Sequence, residues 1–384
     1  MASTSTMISR TFQILATAMM NSTDQTSFGN CSLLVSQSDF ATYVQELNQA
    51  TAFNVTLLEA CQSDICNAIW GDGNADISGI GMVVGYFCAS ALGFIFALSL
   101  TFHEPLRIKP LTKHGGLIKD GYAKFFECAI FFAASIQIAC MIVLVRQNFG
   151  ISANGLGGFT VQITWAVALL CMLPLLYPMA ILRYTDPDRN NYRLFLFCGC
   201  WLLFFYTFIS QMIGGFGPSQ IGEGAGSGGV TIITTDEWDA LTTLCLIGVQ
   251  PLSKSEQRVL SCFGAAGSLL VTIYGLASVL WFIWERLFPH NADSIKTRLA
   301  SLIPKERLKK YTILILLILV PVLTIPQFWG VIRLRGIQKA LANATNNAYV
   351  DNQWTFGQVV AIMLFAPVAA DMGFAMLKGT PQNS

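Results

Sequence analysis

The sequence predicts an all-α integral membrane protein built as a bundle of seven transmembrane helices. Three observations lead there. Charged residues make up only 12% of the chain, about half of what a soluble domain uses to cover its surface. Hydrophobic residues make up 53%, and they fall in long unbroken runs. Those runs reach the roughly 20 residues that a helix needs to cross about 30 Å of hydrocarbon. Helices are the natural reading of these runs, because an open strand edge in lipid leaves backbone polar groups without partners.

The runs are residues 78–101, 122–145, 158–182, 194–214, 262–284, 312–331 and 354–377. They divide the chain into an N-terminal cap (1–77), a helical domain (78–377) and a short tail (378–384). In the cap, the segment Phe12–Met20 is too short to span. Arg10 ahead of it resembles a signal-peptide start, whereas Gln13 and Thr17 interrupt the apolar core. A helical pattern follows around Phe40–Leu58, and then Cys61 and Cys66.

Orientation follows from charge. With the N-terminus luminal or extracellular and the C-terminus cytosolic, sixteen of the 23 lysines and arginines fall on the cytosolic side, as the positive-inside rule requires. Four N-x-S/T sequons, at Asn21, Asn30, Asn54 and Asn343, all lie on the opposite side, where glycosylation occurs. Cys31, Cys61, Cys66 and Cys245 also lie there, where disulfides are permitted. Four cysteines allow three pairings, and the sequence leaves the choice open. The host membrane is the endoplasmic reticulum or the plasma membrane.

The second outer loop, Phe216–Ser261, opens glycine-rich between Gly222 and Gly229. It then carries Thr235-Asp-Glu-Trp-Asp, a helix start with acid in its first turn. Cys245 follows on that helix and can staple it to the cap. In the third cytosolic loop, Ile295, Leu299, Leu302 and Ile303 recur at helical spacing among Lys296, Arg298, Lys305 and Arg307. This reads either as an amphipathic helix on an anionic leaflet or as a solvated basic loop. Within the first span, Gly81, Gly85, Ala89 and Gly93 form a small-residue ridge for close helix packing.

Several chemistries are disfavoured. The three histidines, His103, His114 and His290, sit in cytosolic loops, and no phosphate loop, zinc-protease or dinucleotide motif is present. Asp186 and Asp188 form the only aspartate pair of the kind that holds magnesium for diphosphate ionisation, and one pair is too little. Cys198 and Cys200 lack a neighbouring histidine for a zinc site. No metal and no cofactor are expected, and a net charge of +1 gives no ground for a nucleic-acid partner. The expected partners are membrane lipids and a lipid-soluble small molecule.

Carboxylates inside the spans are the informative residues, because burying a charge in hydrocarbon is costly and such groups face an interior or a path. Glu127 lies in the second span, Asp371 in the seventh, and Glu285 at the close of the fifth beside Trp281 and Trp284. With alternating helix direction all three fall at a similar depth on the cytosolic side. They are candidate catalytic groups. The competing reading is that they snorkel to headgroups or pair with Lys124, Arg183 or Arg286. Trp281, Trp284 and Tyr177 are candidates for a substrate-binding wall. Pro174 and Pro178 in the third span and Pro367 in the seventh are expected to break helices at that depth and open a cavity. Pro321 and Pro326 are expected to do the same in the sixth. Aromatic residues crowd the second and fourth spans (Phe125, Phe126, Trp201 and Phe204 among them). They suit a carbocation pocket or a lipid-facing belt.

The stretch Cys61-Gln-Ser-Asp-Ile-Cys-Asn-Ala-Ile-Trp-Gly-Asp-Gly-Asn-Ala-Asp-Ile-Ser-Gly-Ile-Gly81, running into the first span, resembles the corresponding stretch of a family of fungal seven-helix membrane proteins. Trp354-Thr-Phe-Gly-Gln-Val, at the start of the last span, is similar to the same family. Some members resemble integral membrane proteins encoded in fungal terpenoid and indole-diterpene gene clusters. The resemblance implies a membrane terpene cyclase acting on a prenyl chain or its epoxide on an aromatic head. It carries over no catalytic residue. The alternatives from topology are a seven-helix receptor or sensor and, third, a transporter. Short cytosolic segments count against a receptor, and the absence of an internal repeat counts against a transporter.

Overall fold

The computed structural model describes residues 73–106, 115–145, 147–148, 151–152, 158–185, 189–213, 243–246, 248–287, 305–345 and 349–370, with 62, 63, 66 and 70. The elements are α1 (Ala75–Ser78), α2 (Ile80–Leu106), α3 (Gly115–Val145), α4 (Gly158–Met172), α5 (Leu176–Thr185), α6 (Asn190–Ile213), α7 (Lys254–Leu287), α8 (Lys305–Ala344) and α9 (Phe356–Met363). A two-residue antiparallel pair, β1 (Gln147–Asn148) with β2 (Ile151–Ser152), follows α3.

Six helical segments among the described residues are long and apolar enough to cross a membrane, an arrangement consistent with an integral multi-pass membrane protein. They overlap the first six expected spans and extend several of them. The seventh expected span is described only to Ala370, as an apolar helix from Phe356. Asp371, the Phe40–Leu58 pattern, Thr235–Asp239 and Ile295–Ile303 lie outside the described residues.

Local chemistry accounts for the helix boundaries. Asn74 caps α1 by accepting the Asp76 N–H at 3.1 Å on its Oδ1. Ser253 and Glu256 form a capping box at the start of α7. The Ser253 N–H donates to Glu256 Oε2 at 2.7 Å, and the Glu256 N–H donates to Ser253 Oγ at 3.3 Å. Pro174, with no N–H to donate, sits in a 3₁₀ turn, Leu173–Leu175, that separates α4 from α5. Ahead of Pro367 the last helix tightens, with the Phe365 N–H donating to the Ile362 carbonyl at 3.2 Å. The expected break in the sixth span is not found. Pro321 and Pro326 lie inside one continuous helix, α8, because neighbouring helices can re-satisfy the backbone groups that a proline frees.

The third span is the axis of the bundle. Every residue from Gly158 to Leu182 is buried, and α2, α3, α6, α7 and α8 all pack against α4. Small residues set the close approaches. A Cβ on Gly267 of α7 would come within 2.7 Å of Leu169. Gly275 accommodates Trp201, and Gly330 accommodates Leu260. The α2 ridge works in the same way on three partners. Gly81 meets Gln358 and Trp354, Gly85 meets Phe132 and Ala361, and Gly93 meets Phe125 and Pro174.

The two ends of the bundle differ in character. One carries Asn74, Asp351 and the Arg333–Glu256 ion pair at 3.6 Å, and is called here the Asp351 end. At this end Cys66 is disulfide-bonded to Cys245, with Cα atoms 5.4 Å apart. Gln62 Nε2 donates to the Leu244 carbonyl at 2.9 Å, and Trp70 stacks on Phe159 at 4.6 Å. The bridge is one of the pairings left open by the sequence; Cys31 and Cys61 lie outside the described residues. The opposite end carries Tyr122, Tyr177 and Glu127.

Candidate functional site

At the Tyr122 end, aromatic side chains from four elements meet inside the bundle. Phe96 of α2 lies 5.4 Å from Tyr122 and 5.6 Å from Phe125, both on α3. Phe94 lies 6.4 Å from Tyr177 of α5. Phe365, in the turn after α9, lies 6.3 Å from Phe125 and 5.5 Å from Phe132. Two local features make this convergence possible. Gly93 leaves room for Phe125 and Pro174, and the tightened turn before Pro367 holds Phe365, 4% exposed.

Tyr122 and Tyr177 are both fully buried here, and neither hydroxyl has a hydrogen-bond partner among the described residues. A buried hydroxyl left unpaired costs about 1–3 kcal/mol, so such groups in a native interior call for an explanation. The rings around them present apolar faces that attract cationic centres.

The candidates named from sequence are distributed unevenly around this region. Tyr177 is part of it. Glu127 is half-buried on α3, two residues beyond Phe125. Trp281 is half-buried and Trp284 is 39% exposed on α7. Glu285 lies on α7, and its side chain is outside the described set, as is the whole of Asp371. Asn343 is exposed in the last turn of α8. Asn21, Asn30 and Asn54 lie outside the described residues. Among the described residues no group of three or more His, Cys, Asp or Glu side chains is placed to hold a metal ion.

The Asp351 end holds a second constellation that sequence reasoning missed. Asp351 is the only carboxylate among the described residues that is buried, with no exposed surface at all. The Tyr349 hydroxyl donates to its Oδ2 at 3.2 Å, and Arg335 Nε approaches the same oxygen at 3.6 Å. Gly73, with φ of +100°, leaves the space that the carboxylate occupies; a Cβ there would lie 2.6 Å from Oδ1. Burial pushes the Asp351 carboxyl above its ordinary range, while Ser78, Arg335, Tyr349 and the Asn74 backbone pull the other way. Burial likewise pushes the Tyr349 phenol up. Asp351 sits in the connector before the last helix, so a search for carboxylates inside apolar runs passes over it. Its partners come from the same connector (Tyr349), from α8 (Arg335) and from the segment around Gly73.

Between this centre and α4 the interior stays polar. Gln338 Nε2 donates to Thr160 Oγ1 at 3.0 Å, both side chains fully buried. Comparison with known proteins adds nothing to the geometry, as no protein-family model, no curated protein and no solved structure matches this chain.

Proposed function

We propose that this chain is a seven-span membrane protein with its N-terminus outside, acting as a terpene cyclase on a lipid-soluble prenylated substrate. The observation that carries the reading is the pair of buried, unpartnered phenols, Tyr122 and Tyr177, among aromatic faces. The distribution of lysine and arginine, the four sequons and the Cys66–Cys245 bridge support assigning the Asp351 end to the oxidising side. The aromatic region then lies toward the cytosolic leaflet, at the depth of Glu127.

In this reading a protonated carboxylic acid gives its proton to an epoxide oxygen. The carbon–oxygen bond opens as alkene π electrons attack the carbon, and the positive charge passes along the prenyl chain as rings close. Loss of a proton to a base ends the sequence, so the product keeps the composition of the substrate. Glu127 and Asp371 are the proposed acid and base, with Glu285 a third candidate. Tyr122 and Tyr177 are proposed to hydrogen-bond the substrate oxygen, and the aromatic rings to face the cation.

A receptor or sensor is the second reading. It is favoured by the Asp351–Arg335 pair at the end of the bundle that carries the Cys66–Cys245 bridge, an arrangement able to couple an outer ligand to α8 and the last helix. The deciding experiment supplies an epoxidised prenyl-indole to yeast microsomes containing the protein, followed by mass spectrometry. A product of unchanged mass and shifted retention, lost in Asp371→Asn or Glu127→Gln membranes, is the expected result. Full conversion by both variants would remove the acid assignment, and no conversion by well-expressed wild type would favour the receptor.

A further inference from the structure

A polar layer lies between α6, α7 and α8, away from the aromatic region and toward the Asp351 end. Ser268 Oγ of α7 donates to Gln211 Oε1 of α6 at 2.7 Å. One turn before Ser268, Gly264 presents no side chain to two amides. A Cβ there would lie 3.4 Å from Gln211 Nε2 and 3.5 Å from Gln327 Nε2 of α8. Gln327 Nε2 in turn donates to the Leu260 carbonyl at 3.3 Å.

One helical turn deeper on the same faces come three hydroxyls. Thr207 precedes Gln211 by four residues on α6, Thr272 follows Ser268 by four on α7, and Thr324 precedes Gln327 by three on α8. Since α6 and α8 run opposite to α7, all three steps lead in the same direction along the bundle. The hydroxyl oxygen of each is buried and has no hydrogen-bond partner among the described residues. Thr207 is 1% exposed and Thr324 is 7% exposed. Each hydroxyl can donate once and accept twice, and leaving one unpaired in an apolar interior costs about 1–3 kcal/mol. Three such groups on three helices, below a layer of amides, form a set of donors and acceptors able to pair with one further polar group.

None of the six side chains ionises, so a charged group placed among them would be uncompensated in a low-dielectric interior. The complementary group is neutral, such as a hydroxyl. The neighbouring residues Ile209, Leu269, Ile273, Val322 and Ile325 are exposed on the outer faces of the same helices, so the layer borders the surface that would face lipid. We infer that Thr207, Thr272 and Thr324, with Gln211, Ser268 and Gln327, form a binding site for the hydroxyl group of a neutral lipid alcohol entering from the bilayer. The site is independent of the cyclase reading.

The test uses the full chain in phosphatidylcholine nanodiscs with a diazirine-bearing sterol that has a free 3-hydroxyl, alongside its 3-deoxy counterpart. Crosslinked peptides are identified by mass spectrometry. The hydroxyl probe should label the α6 and α7 segments saturably, at least ten-fold more than the deoxy probe. The triple variant Thr207→Val, Thr272→Val, Thr324→Val preserves shape and removes three unpaired hydroxyls, so it should melt no lower than wild type. It should lose that ten-fold preference. Equal labelling by both probes, saturable labelling confined to other helices, or undiminished labelling of the triple variant would overturn the inference. A triple variant that melts lower with no probe preference in either protein would also overturn it, since the hydroxyls would then be satisfied by internal water.

Discussion

The Gly81 N–H donates to the Gln358 Oε1 at 2.9 Å across 277 positions of sequence. Gly81 is in the first turn of α2, where backbone N–H groups have no intrahelical acceptor. The start of the last helix therefore caps the first spanning helix. The same amide donates through Nε2 to the Ala75 carbonyl at 3.0 Å and the Gln353 carbonyl at 2.8 Å. Thr355 Oγ1 adds a bond to Asp76 Oδ1 at 3.1 Å. The segments 74–81 and 353–358 are thus one structural unit.

Gln358→Leu should lower the thermal midpoint by the cost of unpairing buried backbone groups, about 1–3 kcal/mol. Gly81→Ala should do the same by a different route, since its Cβ would lie 2.6 Å from Gln358 Cβ. Both act on one contact, so the double variant should lose less than the sum. Fluorescence-detected size-exclusion after heating reads all three; additive losses would mean that the two residues act separately.

Asp351 gives a pH dependence whose sign is fixed by its environment. Its carboxyl is raised in the fold, above an ordinary value of 3.8. Its contribution is therefore fully present below that value and is lost as pH rises through the elevated one. Asp351→Asn should gain in melting temperature relative to wild type as pH is raised from about 4 to about 8. A relative loss with rising pH would mean instead that the Arg335 pair outweighs the burial cost.

Arg335→Gln removes the cation 3.6 Å from Asp351 and leaves a buried carboxylate without a counter-charge. A loss of about 3 kcal/mol is expected at neutral pH, shrinking in acid as Asp351 becomes neutral. Melting curves at pH 5 and pH 8 separate this from a packing defect, which would give the same loss at both.

The Cys66–Cys245 bridge closes a loop of 179 positions. Cys245→Ser should cost about 2–4 kcal/mol, and dithiothreitol should lower the wild-type midpoint while leaving the variant unmoved. A variant that still responds to reductant would point to another bridge, involving Cys31 or Cys61.

Tyr122→Phe and Tyr177→Phe each delete a buried hydroxyl that has no partner among the described residues. Neither should destabilise the protein. In the microsome assay each should slow conversion by about ten-fold, the effect of one hydrogen bond of roughly 1.4 kcal/mol to the substrate oxygen. Unchanged conversion in both would take the phenols out of the proposed site.

Hydropathy made the spans legible because a spanning helix is declared by local composition, residue after residue. The Ser253–Glu256 box could be read in the same way, since its partners lie within one turn. Much of the site could not. Glu127 and Tyr177 were singled out for type and depth, yet only the packed helices distinguish a half-buried Glu127 from a fully buried Tyr177. Pro321 and Pro326 looked like breaks, whereas α8 runs through them.

By itself, then, the sequence determined that this chain is helical, apolar enough to live in a bilayer, and asymmetric in charge between its two ends. Only the tertiary structure decided that the third span is the axis, that Asp351 is buried, and that Gln358 caps Gly81. The reason is physical. Membrane insertion depends on the summed transfer energy of about 20 adjacent residues. Burial of a connector carboxylate depends on Arg335 of the preceding helix and Gly73, far away in the chain, meeting the connector that holds Tyr349 and Asp351.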